Sequence, residues 1–152
     1  MKTRSHGFTL IELLLVVAIL AILVSVSFPN FLKVLAKYQL RGTANQLVSD
    51  MRWIRQESIY GRAGVVKLKF AKNNTYYAIE DGTKRRVKRE LPSGVIFLQV
   101  PLTNSQLTFS LIGAPSQAGT IILKNSYNDF CYIYFMPSTG RIRITFDELE
   151  GG

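Results

Sequence analysis

The beginning of the chain has the sharpest contrast between polar and apolar positions. Residues 1–7 are polar and include Lys2 and Arg4, whereas the next 21 residues, 8–28, contain one charged side chain, Glu12. A helix of about 20 apolar residues is long enough to cross the roughly 30 Å hydrocarbon layer of a membrane. The pattern therefore predicts a hydrophobic transmembrane helix over residues 8–28.

An amphipathic pattern follows over residues 29–60. Its apolar positions recur at spacings of three and four residues, at Leu40, Ala44, Leu47, Met51 and Ile54. Arg41, Arg52 and Arg55 fall elsewhere around the same helix. We predict that this helix continues the hydrophobic one. Pro29 marks either a kink or a helix boundary, because proline removes one helical hydrogen bond.

The period of the pattern changes to two after Gly61 and Gly64, first in residues 66–70. Asn73-Asn74 and Asp81-Gly82 are typical of tight turns. Further strands are predicted at 76–80, 95–99, 106–109, 120–123, 131–135 and 141–146. The fold class predicted is α+β, in which residues 61–152 form a β-rich domain whose antiparallel sheet packs on the long helix.

The formal net charge of +9 is unevenly distributed. Residues 61–146 hold twelve Lys or Arg against four acids, and the chain closes on an acidic tail with Asp147, Glu148 and Glu150. A basic domain favours polyanionic partners such as nucleic acid or acidic lipid, although such a charge also serves solubility alone. Charge by itself leaves both alternatives open.

The chain offers few residues for catalysis or metal binding. Its one histidine, His6, lies in the polar leader, so residues 8–152 contain neither a Ser-His pair nor a histidine metal ligand. The one cysteine, Cys131, lies in the apolar run 130–135, which is typical of a buried strand. We expect no enzymatic activity, no cofactor and no metal.

Glu12 decides how the N-terminal segment is interpreted. A cleaved secretory signal, with Ser25-Val26-Ser27 as the cleavage site, or a plain signal anchor would both account for the hydrophobic run. Neither explains an acid near the start of a membrane span, which costs up to about 3 kcal/mol at depth. An acid in such a position is a candidate functional residue.

The stretch Gly7-Phe8-Thr9-Leu10-Ile11-Glu12-Leu13-Leu14 resembles the class III signal of type IV prepilins and pseudopilins. The resemblance implies that a prepilin peptidase removes the leader 1–7 by cutting between Gly7 and Phe8, and methylates the new amino terminus at Phe8. It also implies that Glu12 neutralises the terminal amine of an adjoining subunit inside a filament, a partner that Glu12 lacks within one chain.

Three downstream segments, 109–113, 119–123 and 140–144, together with 44–52 of the helix, are similar to the GspH/FimT family of minor pilins and pseudopilins. The resemblance implies the pilin-like lollipop, with a filament-core helix and a β-rich head. The implied partners are other pilin subunits, the prepilin peptidase and inner-membrane lipid. By the positive-inside rule the N-terminus is cytoplasmic and the head is extracytoplasmic. The chain is therefore expected first in the inner membrane, which its helix crosses once, and after assembly in a filament.

Two basic clusters are candidate DNA contacts. In 140–144, strand alternation directs Arg141 and Arg143 to one face, about 7 Å apart, with Ile142 and Ile144 towards the core. Arginine binds phosphate bidentately without reading sequence, and DNA-uptake members of the family carry a similar Gly-Arg-x-Arg element. The second cluster, inferred from charge alone, comprises Lys84, Arg85, Arg86, Lys88 and Arg89. Either cluster could instead only solvate an edge strand.

These features lead to two main functional hypotheses. The first is a minor type IV pilin that binds DNA non-specifically during natural transformation. The alternative is a GspH-like minor pseudopilin of a type II secretion system that does not bind DNA. A pilus-priming or adhesion role is the third.

Overall fold

The computed structural model describes residues 9–147, without the side chains of residues 26, 27 and 147. It divides into two compact units, and the boundary between them falls between residues 35 and 36. A single α-helix, α1 (Leu10–Glu57), runs through the first unit into the second. Pro29 lies inside α1, so the alternative that it marks a helix boundary is wrong.

The helical part of the first unit exposes its apolar side chains. Leu10, Ile11 and Phe31, for example, are 78%, 75% and 62% exposed. Among the described residues no single unbroken helix is long and apolar enough for a membrane span. The pair of segments Leu10–Ser25 and Phe28–Arg62, joined through a bend, meets that criterion together, on length and composition alone.

In the second unit α1 buries one face, as its sequence period predicts. Leu40, Ala44, Leu47, Met51 and Ile54 are all buried, and Arg41 and Arg52 are exposed. Arg55, by contrast, is partly buried. A π-helical turn, Ser58–Arg62, follows α1, and Gly61 within it has φ of 96°, a left-handed conformation that glycine adopts without steric cost.

In the described part of the chain, eight strands follow in two antiparallel sheets. Their bounds are β1 (Val66–Phe70), β2 (Tyr76–Asp81), β3 (Lys84–Glu90), β4 (Ile96–Gln99), β5 (Gln106–Leu107), β6 (Gly119–Lys124), β7 (Phe130–Met136) and β8 (Arg141–Asp147). Sheet A has the order β3-β2-β1-β5, and sheet B the order β4-β6-β7-β8. A short 3₁₀ turn, Thr103–Ser105, precedes β5.

The structure has two sheets where the sequence pattern predicts one, and it contains a strand, β3, that the pattern does not predict. Six of the seven residues of β3 are charged, and only Val87 packs towards the core, so the strand has no apolar alternation. Its strand conformation comes from backbone pairing with β2, the two strands being joined at Asp81-Gly82, where Gly82 has φ of 60°. The other predicted strands are present, with ends shifted by one or two residues.

The α+β architecture is a pilin-like arrangement: the buried face of α1 packs with both sheets in one hydrophobic core. Phe70, Tyr77 and Phe97 form an aromatic cluster within it, with the Phe70 and Phe97 rings edge to face at 5.2 Å. Each such side chain contributes about 1.5–3 kcal/mol when fully buried. Cys131 is fully buried and unpaired, and burial raises its pKa to about 12, which confirms its predicted packing role.

Candidate functional site

Gly7 and Phe8, the predicted cleavage and methylation residues, lie outside the described residues. The description begins at Thr9, and α1 starts at Leu10. Thr9 donates from its backbone N–H and from Oγ1 to Glu12 Oε2, both at 3.1 Å, and the Glu12 N–H donates to Thr9 Oγ1 at 3.3 Å. This reciprocal pair is a capping box, Thr-x-x-Glu, which satisfies free backbone donors of the first turn.

The capping box changes the account of Glu12. Within one chain Thr9 donates hydrogen bonds to Glu12 Oε2, but these neutral donors supply no positive charge to the carboxylate. The sequence signal was present as a threonine three residues before a glutamate at the start of an apolar run. Pairing with the amine of an adjoining subunit stays a prediction, and such pairing would add to, or replace, these local hydrogen bonds.

The basic strand β3 is largely neutralised by nearby acids. Arg89 Nε lies 3.4 Å from Oδ2 of the buried Asp50 of α1, which also accepts a hydrogen bond from the Tyr77 hydroxyl at 2.7 Å. Arg86 Nη2 lies 2.6 Å from Asp81 Oδ2, and the guanidinium sits over the ring of Trp53 at 5.8 Å. Arg86 and Arg89 therefore serve to hold β3 against α1.

Of the other three cations of β3, one forms an ion pair with a described acid and two do not. Lys88 Nζ lies 2.5 Å from Glu90 Oε1 and 4.5 Å from the centre of the Tyr76 ring. Lys84 and Arg85 are exposed and form no ion pair with any residue in 9–147. Arg85 instead borders a cleft of about 160 Å³ whose lining includes Lys69 and Lys72. Of the five candidate DNA-binding residues in β3, two therefore form no ion pair with a described residue.

Strand β8 presents its arginines as predicted. Arg141 and Arg143 are exposed, while Ile142 and Ile144 are partly buried against the core. Within the described part of the chain neither arginine forms an ion pair. Two unpaired guanidiniums therefore stand side by side on the outermost described strand of sheet B.

The turn before Arg141 depends on two glycines. Gly140 has φ of 59°, and a Cβ atom there would lie 2.9 Å from the Gly113 carbonyl oxygen and 3.1 Å from Arg55 Nη2. Gly113 has φ of 76°, and its Cβ would lie 2.9 Å from Arg55 Nε. The Arg55 guanidinium is thus enclosed by both glycines, and its Nε is buried without a hydrogen-bond partner in the described structure. Sequence reasoning missed this role of Arg55.

Strand β7 differs from its predicted burial. The run 130–135 was interpreted as a buried strand, but only Cys131, Ile133 and Phe135 face the core, while Phe130 and Tyr132 are partly buried and Tyr134 is exposed. Because every residue of the run is apolar or aromatic, its sequence pattern cannot distinguish the two faces. Among residues 9–147 no cluster of three or more His, Cys, Asp or Glu has the arrangement of a metal site.

Residues 2–28 match the family model described as the prokaryotic N-terminal methylation motif. This motif is the class III signal of type IV prepilins and pseudopilins, so the prediction made from residues 7–14 is confirmed. The motif supports a type IV pilin or pseudopilin that is membrane-anchored, structural in role, processed by a prepilin peptidase and assembled with other pilin subunits. Comparisons with curated proteins and with solved structures give no significant match.

Proposed function

We propose that this chain, which carries the class III signal of type IV prepilins and pseudopilins, is a GspH/FimT-like minor pilin that binds DNA non-specifically during natural transformation. The observation that carries the proposal is the pair of exposed arginines on β8, Arg141 and Arg143, which form no ion pair with any residue that the structure describes. The cleaved leader 1–7, the methylated Phe8 and the pairing of Glu12 with an adjoining subunit's amine belong to the same proposal.

The chemistry of the pair suits a polyanion of arbitrary sequence. Two guanidiniums on alternate residues of a strand stand about 7 Å apart, and each can grip phosphate oxygens through two parallel hydrogen bonds. Contacts to phosphate hold nucleic acid without reading its bases. No acid among the described residues pairs with either arginine, so within that part of the chain both charges are open to a ligand.

The proposed topology follows from the basic flank of the hydrophobic run. Lys2 and Arg4 keep the N-terminus cytoplasmic, so residues 8–28 cross the inner membrane and the β-rich domain lies outside the cytoplasm. After assembly the hydrophobic helix lies in the filament core, where the apolar side chains that are exposed in the single chain become covered. The domain then presents Arg141 and Arg143 outside the cell membrane, where incoming DNA is met.

Titration of labelled duplex DNA tests the proposal. The full chain in neutral-detergent micelles is measured by fluorescence anisotropy at several salt concentrations, beside the double variant Arg141→Gln/Arg143→Gln. The expected result is salt-dependent binding by the wild-type chain, with the logarithmic salt slope of the variant reduced by about 0.9 for each phosphate that the variant no longer neutralises. The matched control, Arg52→Gln/Lys72→Gln, removes the same charge from exposed positions outside β8.

The secretion pseudopilin is the second candidate, and the neutralised state of β3 favours it. Arg86, Lys88 and Arg89 are each paired with an acid, so much of the basic run has a structural explanation that requires no DNA. This candidate predicts no duplex binding by either the wild-type or the variant chain. It also predicts that exoprotein export survives Arg141→Gln/Arg143→Gln.

A further inference from the structure

The face of sheet B that points away from the core is unusually apolar. An antiparallel sheet with one face on the core normally turns polar side chains to the other. Here β7 directs Phe130, Tyr132, Tyr134 and Met136 to the outer face, and Tyr134 and Met136 are 37% and 55% exposed. Ile96 and Leu98 of β4 add further exposed apolar surface, at 44% and 50%. Exposed apolar side chains do not improve solubility, so the apolar character of this face requires another explanation.

The three aromatic rings on this face form a ladder along β7. The ring centres of Phe130 and Tyr132 are 6.4 Å apart with 30° between planes, and those of Tyr132 and Tyr134 are 6.3 Å apart with 16° between planes. The rings therefore stand in a row, nearly parallel, at the two-residue repeat of a strand. Aromatic side chains displayed on the surface of a sheet are groups on which nucleic-acid bases stack.

Cations flank the ladder in register with it. Arg143 is paired across the strands with Tyr134, and Arg141 with Met136. On the other side Lys124 is paired with Phe130, and its Nζ lies 5.8 Å from the ring centre. The arginines therefore lie one strand spacing, about 4.8 Å, from the aromatic row and have the same repeat.

The charge of the face favours a polyanion over a second copy of the chain. The four strands of sheet B contain three cations and one acid. The last residue of β8, Asp147, is paired with Phe130, at the end of the ladder away from Arg141. In a symmetric contact between two such faces, the six cations of the two copies would meet only two acids of these strands, Asp147 of each copy, so the contact would keep an excess of positive charge.

We infer that this face binds single-stranded DNA, with bases stacked on Tyr134 and Tyr132 and the backbone phosphates on Arg141 and Arg143. The inference rests on the proposed DNA-binding function, since the arginines are the same. Duplex DNA presents its phosphates to the arginines, but its bases are already paired and stacked, so it gains nothing from the ladder. Single strands gain both interactions, and the stacking is sequence-tolerant because every base has a flat face.

Three ligands of equal length separate stacking from charge. They are an oligothymidylate, an abasic strand with the same number of phosphates, and a duplex, each titrated against the full chain in neutral-detergent micelles. The expected result is at least about fivefold tighter binding of the oligothymidylate than of the abasic strand. Tyr134→Ser should remove most of that difference, Tyr134→Phe should keep it, and the control Tyr60→Ser, at a residue 75% exposed, should leave it unchanged.

The outcomes distinguish the inference of base stacking from the proposed DNA-binding function on which it rests. Equal affinity for all three ligands, abolished by Arg141→Gln/Arg143→Gln, would overturn stacking and leave the DNA-binding proposal intact. No binding of any ligand would overturn both. If Tyr134→Ser instead abolishes self-association in sedimentation and leaves DNA affinity unchanged, a second copy covers the face and the inference is wrong.

Discussion

At the scale of single residues, the motif glycines have a physical explanation. Gly113 and Gly140 were recognised in the sequence as parts of family-like segments, but neither spacing nor composition says why glycine stands there. Both have left-handed φ values, and together they enclose the guanidinium of Arg55. This contact joins α1 to the turn that precedes Arg141, so a packing requirement on the helix sets the start of the candidate DNA-binding strand.

Gly140→Ala is expected to destabilise the domain. A Cβ at position 140 meets the Gly113 carbonyl oxygen at 2.9 Å, and the left-handed conformation alone costs a non-glycine residue about 1–2 kcal/mol. Thermal unfolding followed by circular dichroism measures the effect. The control, Gly42→Ala, lies inside α1 with open space around it and should stabilise the chain by about 0.5–1 kcal/mol. Equal melting temperatures for Gly140→Ala and the wild-type chain would contradict this account.

At the scale of elements, the sequence predicts the faces of a helix or strand in which apolar and polar positions alternate regularly. It does not predict the faces of strands in which they do not. The buried face of α1 and the split between arginines and isoleucines in β8 follow from apolar periods of 3.6 and 2. Strand β3 has almost no apolar side chains, and β7 has almost no polar ones, so neither reveals its faces. The division into two sheets depends on pairing partners distant in the sequence, which periodicity does not identify.

One carboxylate joins three of these elements. Asp81, at the end of β2, forms ion pairs with Arg62, from the turn after α1, and with Arg86 of β3. The hydrogen bond from Arg62, together with the one from Arg86, holds the pKa of Asp81 below its usual range. The predicted candidate cation Arg86 is therefore part of the link between the β2–β3 hairpin and the end of the helix.

This link makes a prediction for the pH dependence of stability. Because the pKa of Asp81 is lower in the folded than in the unfolded chain, its stabilisation is complete above the ordinary carboxyl value of about 4 and is lost as the pH falls through the folded value. In urea titrations between pH 7 and 3, Asp81→Asn should lack this part of the acid-induced loss. In the control Glu90→Gln the lost carboxylate also has a lowered pKa, because Lys88 donates a hydrogen bond to it, but Glu90 is far more exposed than Asp81. Solvent screens such a pair, so the profile of Glu90→Gln should stay closer to that of the wild-type chain. A profile for Asp81→Asn identical to the wild-type one would contradict the role of this ion pair.

At the scale of the whole molecule, net charge indicates the class of partner but not the surface that meets it. The excess of cations predicts an affinity for polyanions, and the structure separates cations that are paired locally, such as Arg62 and Arg89, from Arg141 and Arg143, which no described acid neutralises. At the N-terminal end of the chain, the glutamate of the methylation motif, Glu12, forms part of the capping box of its own helix before any filament forms.

The proposed place of the chain in a filament requires that the chain is processed as a prepilin. The most direct test is the intact mass and N-terminal sequence of the chain purified from membranes of cells that express a prepilin peptidase, with cells lacking the peptidase as the control. The account predicts a chain that begins at Phe8 and carries one additional methyl group on its terminal amine, found only when the peptidase is present. A chain that retains residues 1–7 in both cells, or one that begins after Ser27 as a secretory signal would require, would contradict it.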